Sequence, residues 1–309
     1  MRAMLVVNPK ATATTERQRD ILARALGSDL KVDLAQTTHR GHAIEYARQA
    51  REEGFDVVVV LGGDGTINEV VNGLLGSGPF EGYSPDTPAL AVVPGGSTNV
   101  FARALEMARD PVVATSELLD ALRANRSRQI GLGRVDDRWF TFTAGLGIDA
   151  DAVRRVEKAR AKGRRATPSL YTRCTASALL SMNRRHGPLT LELPGEEPEP
   201  GLFMGIAANT SPWTYFRSKP IVLTRDVTFD TGLDLVALNR MGLVGTLWSA
   251  SGMLTEDGIR GRRARVYRNL PQFRLVSESP IHLQVDGDYI GEVEAADFVS
   301  VPHALRVIA

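Results

Sequence analysis

The chain reads as two domains, an α/β domain built on a parallel sheet and then an all-β sandwich domain. Three observations predict this. In the first third, short apolar runs alternate with stretches whose apolar positions recur every three to four residues. Each of those runs ends in a polar loop bearing glycine or proline. Beyond residue 130, apolar runs follow one another with little helical spacing between them. At 309 residues the chain is long enough for two cores. The predicted division is 1–129 and 130–300, with 301–309 a C-terminal segment that has the option of returning to the first domain.

The first domain is organised around residues 57–71. Val57, Val58, Val59, Val60 and Leu61 read as a strand buried on both faces. Ile67, Val70, Val71, Leu74 and Leu75 keep helical spacing. Between them lies Gly62-Gly63-Asp64-Gly65-Thr66. Glycine takes φ > 0, so the chain is expected to turn sharply here. Lacking a side chain, it also lets phosphate approach the N–H groups at the positive end of the next helix. Asp64 is the informative residue. A carboxylate beside a polyphosphate is repulsive unless a divalent cation, a proton or a hydrogen bond intervenes. The loop therefore reads as one for a magnesium-bound nucleotide, with Asp64 facing the metal or the reacting group. No GxxxxGK[ST] is present, and GGDGTIN does not spell GxGxxG. A plain tight turn is the alternative for these five residues alone.

The flanking elements fit one plan. A strand over 3–7 ends in Asn8-Pro9-Lys10-Ala11-Thr12, and helical spacing follows over 15–26. The run over 30–35 ends in Thr37-Thr38-His39-Arg40-Gly41-His42-Ala43, with a helix reaching residue 53. After a Gly/Pro/Ser-rich loop at 76–88, a strand over 89–93 ends in Pro94-Gly95-Gly96-Ser97-Thr98-Asn99. Phe101, Ala104, Leu105 and Ala108 then keep helical spacing. Ligands of parallel sheets bind beyond the carboxyl ends of the strands. All four polar loops stand at such ends, so they are expected on one rim. There the N–H groups of Gly62–Thr66 and of Gly95, Gly96, Ser97 and Thr98 are expected to hold phosphate.

NPKAT, TTHRGHA, GGDGTINEVVNGL and PGGSTNVFARAL, in this order and at these distances, resemble the diacylglycerol kinase catalytic domain. That superfamily also holds sphingosine kinases and bacterial lipid kinases, and the resemblance runs nearly the whole chain. It implies an ATP site on an N-terminal domain of phosphofructokinase and NAD-kinase type, with a C-terminal β-sandwich for the lipid. Residue by residue it carries nucleotide contacts to Asn8, Pro9, Lys10, Ala11, Thr12, Thr37, Gly62, Gly63, Asp64, Gly65, Thr66, Ile67, Asn68 and Ser97, with Mg2+ reaching Asp64 through ATP. Two spellings depart from the family. NPKAT stands where NPxSG is frequent, and Val100 stands where many members carry an aspartate after the asparagine.

In the second domain, strands over 130–136 and 138–143 meet at Asp136-Asp137, a hairpin signal. Residues 143–150 resemble the family's AGxGxDA segment and open a helix, with Asp149 either its N-cap or a direct participant. Runs over 189–193, 202–208, 220–229, 233–238, 273–277 and 281–285 read as the sandwich strands. Asp230-Thr231-Gly232-Leu233-Asp234 resembles a DDGxLD segment where some bacterial members hold a structural magnesium. Threonine replaces the second acid, which leaves Asp230 a minor metal candidate. Asp286-Gly287-Asp288 is by itself a hairpin turn. It also resembles the family's DGE, whose last acid accepts the proton. On that resemblance the catalytic candidates are Asp288, Asp286 and Asp64, and which is the base stays open.

Composition narrows the partners. Hydrophobic residues make up 43% and charged residues 24%, and net charge is +1, so nothing favours nucleic acid in bulk. The single Cys174 excludes an internal disulfide and suits a reducing cytoplasm. The N-terminus reads as a strand rather than a signal peptide, and no run of about 18 apolar residues exists to cross a bilayer. Residues 151–186 carry ten Lys/Arg against two acids, and Arg260, Arg262, Arg263, Arg265 and Arg268 form a second cluster. Either these are solvated faces, or they dock the protein on an anionic membrane. No aromatic residues are interleaved to stack bases. The expectation is a cytoplasmic ATP-dependent lipid kinase, peripheral to the inner face of the membrane, converting diacylglycerol to phosphatidic acid. The rivals are an NAD-kinase-like enzyme with a soluble acceptor and a membrane-recruited nucleotide-binding regulator. Family habit allows a homodimer.

Overall fold

The computed structural model describes residues 1–11, 14–80, 82–164, 168–181, 186–216, 219–240, 253, 258–259 and 263–309. They form two compact units, Met1–Leu132 with Asp137–Trp139 and Pro302–Ala309, and Gly133–Asp136 with Phe140–Val301.

The first unit alternates strand and helix: β1 (Arg2–Val7), α1 (Glu16–Gly27), β2 (Lys31–Gln36), α2 (His42–Glu52), β3 (Val57–Gly62), α3 (Asp64–Leu75) and β4 (Ala89–Pro94). Two further helices follow, α4 (Val100–Ala104) and α5 (Pro111–Arg123). The strands lie in the order β2-β1-β3-β4, all parallel. At the far side of β4, Val307 of β16 (Asp288–Val307) pairs in parallel with Leu90. Every residue of β3 and β4 is buried, as expected of parallel strands covered on both faces. Leu22 and Leu26 of α1 and Leu118 of α5 cover one face, against Val57, Val59 and Leu61. Local signals start the helices where the pattern puts them. Thr15 and Gln18 form a capping box at α1, and Asp110 caps α5 by accepting from Val112 and Val113 N–H with Pro111 in the first position.

The strand order reverses at β1, whose neighbours β2 and β3 lie on opposite sides. The crevice at such a reversal is where α/β sheets bind ligands. Register fixes the rim: Val7 lies opposite both Gln36 and Leu61, and Gly62 lies opposite Pro94. All four polar loops therefore leave one edge of this sheet.

The second unit is rich in strands, and these are antiparallel. β5 (Arg128–Val135) and β6 (Arg138–Phe140), each divided between the two units, follow one another across the turn at Asp136-Asp137. The main sheet contains β7 (Thr143–Gly147), β10 (Met204–Ala208), β13 (Leu233–Leu238), β14 (Ala264–Leu270) and β15 (Gln272–Val285), with β8 (Leu189–Glu192) and β9 (Glu199–Leu202) appended. Its order is β14-β13-β10-β7-β15-β16. The pair β11 (Thr214–Phe216) and β12 (Lys219–Ile221) stands apart. Two helices join the strands, α6 (Ile148–Ala161) and α7 (Pro168–Ser181). β7, β10 and β13 are buried along their whole length. One face of β10 and β13 meets the core of Leu202, Leu235, Leu275 and Phe298, while Ile148 and Ala152 of α6 pack against Ile206, Val236 and Leu238.

The α/β and strand-rich plan agrees with the sequence reading, with local differences. The runs over 273–277 and 281–285 are one strand, irregular between Val276 and Ile281. Of the strand expected over 220–229, only Lys219–Ile221 forms.

Inside α3, Gly73 lets the helix lie against α2. A Cβ there would fall on the Ile44 carbonyl oxygen and 2.6 Å from the Ala47 Cβ. Gly73→Ala is expected to cost about 1–3 kcal/mol through overpacking, read as a lower urea midpoint.

Candidate functional site

In the first unit the site grows from the end of β3. Only Gly63 separates strand from helix, so Asp64 opens α3 rather than sitting mid-loop. A carboxylate in a first helical turn is favoured by the helix dipole. Its Oδ1 also accepts the N–H of Phe101, 3.1 Å away at the start of α4. Asp64 thus ties the opening of α3 to the loop after β4.

The two glycine loops touch. Gly95 N–H donates to the Gly62 carbonyl at 2.8 Å, continuing the β3–β4 ladder beyond the strands. A Cβ on Gly96 would lie 2.8 Å from the Gly63 Cα, and one on Gly63 would lie 3.3 Å from the Gly96 Cα. The chain does turn sharply from β3 into α3, but not through left-handed glycines: none of Gly62, Gly63, Gly65, Gly95 and Gly96 has positive φ. Gly63, Gly95 and Gly96 stand where the backbones of the two loops meet. The left-handed residue is Asn99, at φ 50°, whose side chain closes the loop by accepting Gly96 N–H at 2.8 Å and donating to the Gly96 carbonyl at 2.9 Å.

Several residues expected to contact nucleotide have internal partners. Ile67 is fully buried in the core. Asn68, 2% exposed, donates its amide to the Trp139 carbonyl at 3.0 Å. Thr66 is buried, and its hydroxyl accepts from the Asn8 amide at 3.0 Å. The N–H groups of Thr66, Gly95 and Gly96 are spent on Gly63, Gly62 and Asn99. Helix geometry leaves first-turn N–H groups without intrahelical partners, so the phosphate-facing candidates narrow to Gly63, Gly65, Ser97 and Thr98. Thr37 is buried, its N–H on the Val7 carbonyl at 2.9 Å. Asn8 shapes its own turn, its Oδ1 accepting Lys10 N–H at 3.0 Å, and leaves Pro9 and Lys10 exposed. Lys10 Nζ reaches the Thr38 carbonyl at 3.4 Å, which brings the loops after β1 and β2 together. Ala11 is half-buried, and Thr12 lies outside the described residues. Glu69, which sequence reasoning missed, accepts Gly41 and Ala43 N–H at 2.8 and 3.2 Å and so braces the start of α2 from α3.

In the second unit, Val285 and Asp288 close a two-residue hairpin, with φ of 47° at Asp286 and 80° at Gly287. Two consecutive positive φ values mark the primed turn that suits strand twist. The Asp286 carboxylate is buried and accepts four hydrogen bonds. They come from Thr141 N–H and hydroxyl (both 2.8 Å), Phe142 N–H (3.0 Å) and Thr143 N–H (3.1 Å). Burial pushes its pKa up, and those bonds pull the other way. So committed, Asp286 does not fit the role of base that it was a candidate for. Asp288 is half-exposed at the head of β16.

Asp149 is the second residue of α6, and Gly147 takes the N-cap position, so Asp149 is not a cap. Its Oδ2 accepts the Gln284 amide at 2.8 Å, and burial raises its pKa from 3.8 to about 6.

Among the described residues no three His, Cys, Asp or Glu gather to hold a metal. Asp230 is exposed, so the structural magnesium suggested by the resemblance has no cluster around it there. The acid nearby, Asp234, is buried and bonded to the Thr224 hydroxyl and to Asn269 N–H. One carboxylate on the first unit's rim, Asp64, fits a magnesium that arrives with a nucleotide and takes most of its oxygens from phosphate and water.

Residues 2–135 match the diacylglycerol kinase catalytic domain. The diacylglycerol kinase of Bacillus subtilis (strain 168) is 35% identical over 150 residues, 47% of this chain and 46% of the relative. That of Staphylococcus aureus (strain JH9) is 31% identical over 148 residues, 47% and 44% of the two chains. The chain thus matches a little under half the length of these curated relatives. A solved diacylglycerol kinase structure from Bacillus anthracis (strain Sterne) superposes with TM-score 0.70 at 16% identity, over 99% of this chain and 96% of that one. A second structure from that organism reaches 0.75 at 17%, with the same coverage. At such identity the likeness concerns the fold.

A carboxyl that holds its proton more tightly folded than unfolded stabilises the fold while protonated. For Asp149 that contribution is whole below about pH 4 and is lost as pH rises through about 6. Asp149→Asn is therefore expected to raise the unfolding free energy by about 1–2 kcal/mol at pH 8 and to lose this advantage on acidification, as measured by urea unfolding across pH.

Proposed function

On the premise that residues 2–135 form a diacylglycerol kinase catalytic domain, we propose that this chain is a lipid kinase. It transfers the γ-phosphoryl group of ATP to a lipid hydroxyl, with diacylglycerol the acceptor and phosphatidic acid the product. The observation that carries this reading is the contact of the two glycine loops, with Asp64 at the head of α3 bonded across to Phe101. Such a contact presents N–H groups and one carboxylate on the carboxyl rim of the sheet, one strand along from the reversal at β1. Phosphoryl transfer needs chiefly positioning and charge neutralisation.

In this reading the N–H groups of Gly63, Gly65, Ser97 and Thr98 hold phosphate oxygens, and Lys10 adds positive charge. Mg2+ bound with the nucleotide would neutralise phosphate charge, with Asp64 as its protein ligand. Asp288 accepts the proton of the lipid hydroxyl, a contribution of about 10²–10⁴-fold for a general base. Its side chain is one methylene shorter than the family's glutamate, and the left-handed turn before it sets its direction.

No described helix is long and apolar enough to cross a membrane, so the lipid would be met at the surface. On α6, Arg154 and Arg155 share an ion pair with the one carboxylate of Asp151, whose burial is outweighed by their hydrogen bonds and which is held below the usual carboxylate range. The exposed cations are Lys158, Arg160, Lys162 and Arg164. Of the second cluster, Arg265 and Arg268 pair with Glu199 and Asp226. Arg165, Arg184, Arg185, Arg260 and Arg262 lie outside the described residues. The end of α6 is thus the favoured contact for an anionic membrane, at about 1 kcal/mol per cation.

Two measurements test this. Radiolabelled γ-phosphate from ATP should enter the organic phase when the protein meets membrane lipids in mixed micelles with Mg2+. Asp64→Asn should abolish that transfer while leaving the urea midpoint unchanged. Label moving to soluble NAD alone would instead point to a dinucleotide kinase. In sedimentation with phosphatidylserine vesicles, Lys158→Ala, Arg160→Ala and Lys162→Ala together should weaken binding by about 100-fold. Salt should weaken wild-type binding in the same direction.

A further inference from the structure

The turn that carries Asp288 is pinned on both sides by residues traceable to α6. Before it, Gly287 N–H donates to the Gln284 Oε1 at 2.9 Å, and the Gln284 Nε2 donates to the Asp149 Oδ2 at 2.8 Å. After it, Tyr289 N–H donates to the Glu157 Oε1 at 3.2 Å. Asp149 and Glu157 stand eight residues apart, so one helical face reaches both. Gln284 is 1% exposed, and its amide has a donor end and an acceptor end that cannot exchange without cost.

We propose that Asp149 is a positioning residue for Asp288: its carboxylate, an acceptor only, sets the polarity of the Gln284 amide, which in turn holds Gly287. The proposal rests on the lipid-kinase reading for its catalytic meaning and on unit geometry for the relay. A protonated Asp149 becomes a donor and draws the Gln284 Oε1 towards itself. That leaves the amide nitrogen facing Gly287 N–H, donor against donor, and the turn loses one of its pins. With the carboxyl raised to about 6, this happens just below neutrality.

The charged neighbours of α6 are otherwise engaged. Asp151 holds Arg154 and Arg155, and Arg155 also meets Ser177 of α7. From α7, Cys174 packs beside Val156 while Arg173 is exposed. His282 of β15 faces Asp151 and Glu292, with Lys158 adding charge nearby. Burial and then Arg154 pull the His282 pKa below 6.5. β7 and β10 bring no ionisable group, only Gly145 and Ile206 beside one another and Asp149. Asp286 lies beyond Gln284, bonded to the backbone at 141–143.

The test follows the Gln284 side-chain amide and the Gly287 amide by nuclear magnetic resonance from pH 5 to 8, beside kcat for lipid phosphorylation. Both resonances should move with a common midpoint near 6, and kcat should fall below it. Asp149→Asn should abolish both effects, whereas His282→Asn should leave the resonance midpoint in place. Gln284→Leu, which keeps the volume, should lower kcat by about 10–100-fold at pH 8 with KM for ATP unchanged. A Gly287 resonance that does not titrate, a midpoint that survives Asp149→Asn, or a full kcat in Gln284→Leu overturns the proposal. If wild-type protein transfers no phosphate at any pH, the lipid-kinase reading and the catalytic half of this proposal fall. The resonance titration then still decides the relay.

Discussion

Two backbones that nearly touch govern the first unit. Where Gly63 meets Gly96, no side chain fits, and the β3–β4 ladder runs on through Gly95 N–H to the Gly62 carbonyl. That single approach sets the distance between the heads of α3 and α4, and the Asp64–Phe101 bond depends on it. The N–H groups of Thr66, Gly95 and Gly96 are spent within these loops. Preorganised donors lose little freedom on meeting a charged ligand, which is where electrostatic catalysis gains its strength.

Much of this was legible in the residues. Apolar runs such as 57–61 and 89–93 identified strands buried on both faces, and four loop spellings identified the rim. The reason for the glycines was not legible, since left-handed turning and close approach leave the same letter. Nor could the inward direction of Asn68 be read: its partner, the Trp139 carbonyl, is remote in sequence and carries no motif. Helix α5 was passed over although Asp110-Pro111 opens it with an ordinary start signal. In the second half, β14 and β16 escaped notice because their exposed, charged positions broke the apolar pattern.

The Asp286-Gly287-Asp288 stretch shows why two readings of one motif need not compete. It is a hairpin turn by its dihedrals, and the same turn places one acid inside and one half-exposed. Asp286 turns inward to bind three successive backbone N–H groups, while the other acid sits half-exposed at the strand's head. Burying a carboxylate is costly unless its hydrogen bonds are complete, and four bonds meet that condition here. The two acids differ by burial, Asp286 enclosed and Asp288 half-exposed.

The strand that borders β4 comes from the far end of the sequence. Leu305 and Val307 are fully buried in the first unit, and Ile308 N–H bonds the Leu90 carbonyl at 2.9 Å. During synthesis, the first 132 residues leave the ribosome long before that border exists. Until residues 302–309 arrive, β4 presents an open parallel edge of unpaired N–H and C=O groups to whatever is nearby, the hazard that exposed sheet edges carry. The nucleotide-type unit is therefore completed last although it begins first. The second unit, inserted between its parts, must be made before the nascent sheet can close.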